Sequence, residues 1–353
     1  MLPFLRRGWY VAAWSHDIGQ KPLGRTILGE GVLLYRKHDG EAVAFEDRCP
    51  HRLAPLSLGR IEDDKIICGY HGLTFNSDGR CIFNPHGRGQ TPGAARLKRY
   101  PLVERHHAAW IWTGEPDRAD ASLIPDFSIL DQGTGLAAMR RDHIVMTAPW
   151  DLIVDNLLDL SHVNFLHDGI LGNAAMVPAE NVVEVAGEQV TVARRSYNVP
   201  PPGLFDSMFH QDGRPADVWM VMRWDAPSAL LLDVGLTDPG RPREEGTGLF
   251  GIHLLTPETA TTTHYHFAAV RWNIRSDTET EEMKQRISDM RYYAFVEQDM
   301  PMIAAQARVW ANQGSNPRKP MWLDIDAGIA RWRRIVQQKH DVEQPRDVFT
   351  VSS

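Results

Sequence analysis

Two short segments constrain this chain more than any other feature. Cys49-Pro50-His51 is followed, after sixteen intervening residues, by Cys68-Gly69-Tyr70-His71. Each segment contributes one thiolate and one imidazole. Such a set can hold a two-iron cluster with both histidines on one iron. The second segment is the run Asn156, Asp159, His162 and His167. Its two histidines can form part of a 2-His-1-carboxylate iron site with positions open for oxygen. An electron store and an oxygen-activating iron in one polypeptide describe an oxygenase.

The first motif has a bland alternative, a structural Cys2His2 zinc site. Zinc pairs usually run as two cysteines and then two histidines, not one of each per loop. The cluster reading is therefore preferred. Gly69 and Gly72 would let backbone pass close to a bulky inorganic core. Histidine ligation would place its potential at roughly −150 to +300 mV. Cys81, the third cysteine, is expected to be a buried structural thiol. Arg48 and Arg52 flank the first pair, either as solvated surface or facing a reductase.

In the second motif, Asp159 and His162 are three apart and expected on one helical face. His162 and His167 lie about 140° apart around an ideal helix. Both reach one metal only if the helix ends or distorts, and Gly169 and Gly172 make an early end plausible. Without the cluster motif upstream, hydrogen-bonded core histidines would be the default. A third ligand is sought on a long helix expected over about 278–311. Tyr292, Phe295, Val296, Met302, Ile303 and Gln306 surround Asp299 on an ideal wheel, whereas Glu297 faces away. An acid on an apolar stripe is costly unless paired or metal-bound. Asp299 is thus the expected ligand and Glu297 a solvated acid. Asp159 is left free to orient a ligand histidine or to connect it to a cluster elsewhere. Asn156, one turn earlier, would steady the iron.

The chain has 353 residues and a net charge of −7 with no basic tract, which argues against nucleic acid as a partner. No apolar run reaches membrane-spanning length. Three cysteines are too few for a disulfide framework, so a reducing cytoplasm is expected. Residues 1–120 read as short strands. Runs 31–35 and 41–45 flank an Asp39-Gly40 hairpin turn, and 110–112 is another strand. Residues 121–353 form the second expected domain. A helical pattern starts at Pro149, strands follow at 190–197, 219–224, 230–234, 249–255 and 262–272, and a last helix covers about 329–340. Strands with helices at the ends imply an α+β fold with an antiparallel sheet.

Taken together, Cys49-x-His51…Cys68-x-x-His71 resembles the Rieske motif. The spacing Asn156, Asp159, His162, His167 with Asp299 is similar to the catalytic motif of Rieske non-haem iron oxygenases. Residues 6–13, 21–25, 55–59, 67–72 and 155–162 resemble the vanillate O-demethylase and dicamba monooxygenase group. The resemblance implies an N-terminal Rieske 2Fe-2S domain and a C-terminal helix-grip domain holding Fe(II). It implies a head-to-tail homotrimer, with electrons crossing the subunit boundary from His71 through Asp159 to His162. A separate flavin and iron–sulfur reductase would deliver electrons from NADH or NADPH, since the chain has no nucleotide-binding motif of its own. The implied reaction consumes O2 and oxidatively O-demethylates a small methoxy-aromatic acid such as vanillate. Ring, methyl or N-methyl oxidation by the same machinery is the alternative, and a non-enzymatic Rieske electron carrier is a remote one. Resemblance also suggests a substrate-facing histidine at His253. His264 and His266 are expected to be structural. Arg223 and Arg271 could hold an aryl carboxylate, though surface is their default. Most of the 11 tryptophans are expected in the core.

Overall fold

Period-two patterning organises the largest element, and it does so on both faces. In a computed structural model describing residues 2–314 and 318–344, seven strands form one antiparallel sheet. From edge to edge they are Asp142–Met146, Thr263–Trp272, Thr247–Pro257, Ala229–Thr237, Ala216–Asp225, Gln189–Val199 and Glu180–Ala186. The fold is α+β, as expected. Ile252, Leu254, Ala268 and Val270 pack against Trp9, Trp14, Trp110 and Trp112 of the N-terminal strands. The intervening Leu249, Leu255, Tyr265 and Phe267 pack against helices through Leu157, Ile287, Phe295 and Trp332. A sheet covered on both sides must be apolar on both sides. That is why the 247–257 and 263–272 strands are almost wholly buried.

The N-terminal region is three small antiparallel sheets. The Glu30–Arg36 and Ala42–Glu46 strands form the expected hairpin. A second small sheet, Arg60–Glu62, Lys65–Ile67, Thr74–Phe75 and Cys81–Phe83, carries the second Cys/His loop between its middle strands. Leu33, Tyr35, Phe45, Ile66 and Phe75 pack around Cys49 and Cys68.

Two helical expectations need correction. The Trp150–Leu158 helix ends before His162, so Asp159 and His162 do not share a helical face. The cause is local. Asp159 leaves helical geometry at ψ 84°, and its carboxylate accepts from the backbone N–H of Ser161 at 2.9 Å. An aspartate that satisfies nearby backbone in this way competes with helix continuation. The second correction concerns the long helix. It begins at Glu281, capped by the Thr280 hydroxyl, and is interrupted by a π-helical segment, Ala294–Asp299. Pro301 follows immediately. Its ring has no N–H and would clash with the carbonyl four residues back, so the preceding turn widens. Widening changes the wheel. Phe295, Ile303 and Asp299 are buried as expected, but Tyr292 and Met302 are exposed.

Behind the sheet, two buried imidazoles and a half-buried one fasten its edge to the N-terminal strands. His143 stacks on His266 at 4.4 Å and approaches His264 at 3.0 Å, and the carbonyl of Thr26 lies 3.0 Å from His264 Nε2. Trp14 meets His266 edge-on. His264 and His266 are thus structural. Burial, with Arg25 and His264 nearby, holds His143 down at about 4. Burial also lowers His264 and holds His266 well below the usual imidazole range. Unfolding releases these groups to take up protons below about pH 6.5. Stability should therefore fall as pH drops from about 6.5 toward 4, by about 1.4 kcal/mol per pH unit for each proton taken up. Urea midpoints across that range should show the decline, and His266→Phe should flatten it. A midpoint that holds steady in the native protein would contradict this account.

Candidate metal centres

The end of one helix and the widened turn of another bring three ligands together. Nitrogen and oxygen atoms of His162, His167 and Asp299 all lie within 4.8 Å of one another. Nε2 of His167 is 3.2 Å and Nε2 of His162 is 3.6 Å from Asp299 Oδ1. His162 sits in a short 3-10 turn, His162–Asn164, after the Trp150–Leu158 helix has ended. His167 opens the next turn, where backbone N–H groups of Ile170 and Leu171 donate to its carbonyl. Gly172 has a specific task there. A Cβ at this position would lie 2.6 Å from the carbonyl oxygen of Val163. The two expected glycines thus shape the His167 turn and do not end the helix.

Each imidazole is oriented through its Nδ1. His162 Nδ1–H donates to the backbone carbonyl of Asp159. His167 Nδ1–H donates to Gln298 Oε1 at 2.8 Å, and Gln298 Nε2 donates to the Leu166 carbonyl at 2.9 Å. Both Nε2 atoms are left to face Asp299. Asn156 Nδ2 donates to Asp299 Oδ1 at 3.1 Å. Burial opposes a charge on His167, but the bond to Asp299, the charge of that carboxylate and the bond to Gln298 together raise its pKa. A divalent cation would take the place of a proton between His167 and Asp299. Two neutral imidazoles and one carboxylate, buried and pre-oriented, suit Fe(II). Glu297 is exposed and points away from the cluster of ligands, as its position on the wheel implied.

The site opens onto a cavity with about 670 Å³ of atom-free space, its mouth included. Leu157, Leu160, Leu204, Phe205, Met220, Met222, Leu232 and Phe295 supply apolar walls. His253 lines it too, buried, with Nδ1 2.6 Å from the Tyr265 hydroxyl. Burial, assisted by Arg291, holds His253 down at about 3, so it is neutral. Gly251 leaves room beside it, since a Cβ there would lie 3.1 Å from Nε2. Arg223 and Arg271 do not line the cavity. Arg223 pairs with Asp225 at 2.7 Å, and Arg271 is buried against Thr278. The buried arginine at the cavity is Arg291, which lay outside the expected set. No tryptophan lines it.

The other motif forms two loops of matching design. Cys49 N–H donates to the Ala54 carbonyl and Leu53 N–H to the Cys49 carbonyl. Cys68 N–H donates to Leu73 and Gly72 N–H to Cys68 in the same way. Leu53 and Gly72 hold the equivalent left-handed positions, at φ 58° and 70°. Gly69 instead closes on the carbonyl of Leu58, which a Cβ would meet at 2.8 Å. Both cysteines are buried, while His51 is exposed and His71 half-buried, with ring centroids 4.5 Å apart. Burial pushes the Cys49 thiol up to about 11. Two thiols inside and two imidazoles outside fit a cluster whose histidine-bound iron faces the surface. Cys81 is only half-buried, so the expectation of a buried thiol is corrected. His86, missed from sequence, holds its Nε2 2.9 Å from the His71 carbonyl. Arg48 and Arg52 are exposed.

Comparison with known proteins now decides the family. Residues 8–101 match the Rieske 2Fe-2S domain, and residues 146–341 match the vanillate O-demethylase oxygenase C-terminal domain. The chain belongs to the Rieske non-haem iron oxygenases. It is similar to the dicamba O-demethylase oxygenase component of Stenotrophomonas maltophilia, with 34% identity over 97% of this chain and 99% of that one. A putative toluene-4-sulfonate monooxygenase iron-sulfur subunit of Comamonas testosteroni shares 37% identity over 93% and 95%. Among solved structures, dicamba monooxygenase bound to 3,6-dichlorosalicylic acid superposes with a TM-score of 0.90 at 33% identity, covering 97% of this chain and 99% of that one. The same enzyme has been solved with non-haem iron and dicamba. This chain is therefore the oxygenase component of a Rieske monooxygenase system, an iron enzyme.

Sequence reasoning missed Gln298, although its place beside Asp299 was a signal. It bonds both the Leu166 carbonyl and Nδ1 of His167, and partners of this kind tune metal affinity by roughly 10–100-fold. Gln298→Leu should lower mononuclear iron affinity by about that factor and leave the cluster spectrum unchanged, as read by iron analysis after graded chelation. Native iron retention in that variant would show that Gln298 does not orient the ligand.

Proposed function

We propose that this oxygenase component O-demethylates a small methoxy-aromatic acid, vanillate being an example. The observation that carries the reading is the placement of His162, His167 and Asp299 at the end of an apolar cavity that His253 also lines. Support comes from relatives named for dicamba O-demethylation and from the vanillate O-demethylase domain match. In this reading, His162, His167 and Asp299 hold Fe(II), and Cys49, His51, Cys68 and His71 hold the 2Fe-2S cluster. The domains divide near residue 120, into 1–120 and 121–353.

The bound iron supplies oxygen activation. The chain's own residues do the rest. Asn156 holds the carboxylate oxygen of Asp299, Gln298 fixes the His167 ring, and apolar walls exclude water from the reacting carbon. His253 faces the substrate with its free Nε2. The balanced reaction takes an aryl methyl ether, O2, two electrons and two protons to a phenol, formaldehyde and water. Hydroxylation of the methoxy carbon gives a hemiacetal, which collapses by breaking its C–O bond to the ring oxygen. Electrons come from NADH or NADPH through a separate flavin and iron–sulfur reductase, in the cytoplasm.

Asp159 carries a second part of the proposal. Its carboxylate accepts from Ser161, and its carbonyl accepts from His162. In a head-to-tail homotrimer, this residue links His71 of one subunit to His162 of the next. Asp159→Asn should retain both metals and cut coupled turnover by roughly 10–100-fold. Turnover at the native rate would refute the bridging role.

Formaldehyde release from methoxy-aromatic acids, with reductase, O2 and NADH supplied, tests the reaction itself. Stoichiometric formaldehyde and phenol are expected. A hydroxylated ring or methyl product without formaldehyde would replace this reading with the alternative favoured by the toluene-4-sulfonate monooxygenase relative.

A further inference from the structure

We infer that Arg291 is an anion receptor inside the cavity, and that it selects aromatic substrates carrying a carboxylate or sulfonate. The inference rests on reading the cavity as the substrate site. Arg291 lines the cavity and is 5% exposed. Neither Nη1 nor Nη2 has a hydrogen-bond partner among the described residues. A guanidinium is a rigid fork of donors matched to a planar oxyanion, and it stays charged when buried. Burial, the main influence, lowers Arg291 only to about 10, so it remains a cation at neutral pH.

Among the described residues no carboxylate hydrogen-bonds either Nη of the guanidinium. Asp142 acts on Arg291 through its charge alone, and its Oδ1 accepts from Arg140 at 2.6 Å. Asp299 is held by Asn156 and the two histidines. The guanidinium lies over the face of Phe267, 5.7 Å from the ring centroid. A buried cation with unused donors facing an apolar chamber is costly unless an anion enters. Several arginines elsewhere in the chain are paired with acids, for example Arg243 with Asp233 and Arg7 with Glu115.

Placement gives the receptor a purpose. Arg291, Phe295 and Asp299 follow one another at four-residue spacing, from the last turn of the Glu281–Tyr293 helix to the end of the π segment. An oxyanion on Arg291 would place the far edge of a single ring toward Asp299, with Phe295 beside the ring. His253 Nε2, also unpartnered, lines the same chamber. With an anion bound, the Tyr265 hydroxyl donates to Nδ1 and the His253 proton sits on Nε2, adding a neutral donor.

The test is calorimetric binding to the oxidised holoprotein, without turnover. The probes are ortho-, meta- and para-methoxybenzoates, their primary amides, and the matching benzenesulfonates. At least one acid should bind ten or more times tighter than its own amide. Arg291→Met should erase that preference while leaving the cluster spectrum and iron content as in the native protein. Arg291→Lys should restore part of it. If no acid outbinds its amide in the native protein, or if Arg291→Met keeps the preference, the inference fails. The acid–amide comparison needs no variant, so misfolding cannot protect the claim. Acids that bind preferentially yet release no formaldehyde would sink O-demethylation and leave the receptor standing. Formaldehyde released equally from acids and amides, with equal binding, would do the reverse.

Discussion

A desolvated carboxylate facing two imidazoles is the constraint on which the catalytic half depends. Asp299 is 3% exposed. Leaving such a charge uncompensated costs several kcal/mol. The hydrogen bond from Asn156 returns about 1.5–3 kcal/mol, as for bonds to charged groups. A cation shared with His162 and His167 makes up the difference. That requirement explains why Asn156, Gln298 and the Asp159 carbonyl all converge on the site, each holding one ligand in position. It also explains why one helix must stop and another must widen within the same small volume.

The two helix irregularities have different origins but serve one geometry. Asp159 turns the chain by bonding to Ser161, which releases the His162 turn from helical spacing. Pro301 disrupts the other helix one turn along, and the resulting π segment ends on Asp299. π segments within α-helices are frequent at functional sites. The large sheet provides the rigid backing. Alternate residues of the 247–257 and 263–272 strands face the tryptophan-rich N-terminal strands on one side and the helices on the other, where Leu249, Gly251 and His253 reach the cavity. A change in strand register by one residue would exchange His253 for its apolar neighbours.

Much of this was legible in the chain. The cysteine and histidine spacing, the five inner strands of the sheet and the burial of Asp299 all follow from local pattern, because each depends on nearby residues. Other features depended on partners distant in sequence. The edge strands 142–146 and 180–186 carry weak patterning, since the 180–186 strand is largely exposed. The early helix stop at Leu158 was hidden because Asp159 fits a helical spacing and also competes with it. Pro301 was in plain view, but its effect on the wheel becomes clear only when Tyr292 and Met302 are found exposed. Arg291 could not be identified from sequence. An arginine in a helix reads as surface by default, and its unpaired burial is a property of the tertiary structure alone.

Iron analysis of fully loaded Asp299→Ala protein, alongside the visible absorption of the cluster, shows whether this carboxylate completes the mononuclear site. The variant is expected to lose the lone iron and to keep the paired irons and their spectrum. Iron content equal to that of the native protein would contradict this, because Asp299 would then not complete a metal site with His162 and His167.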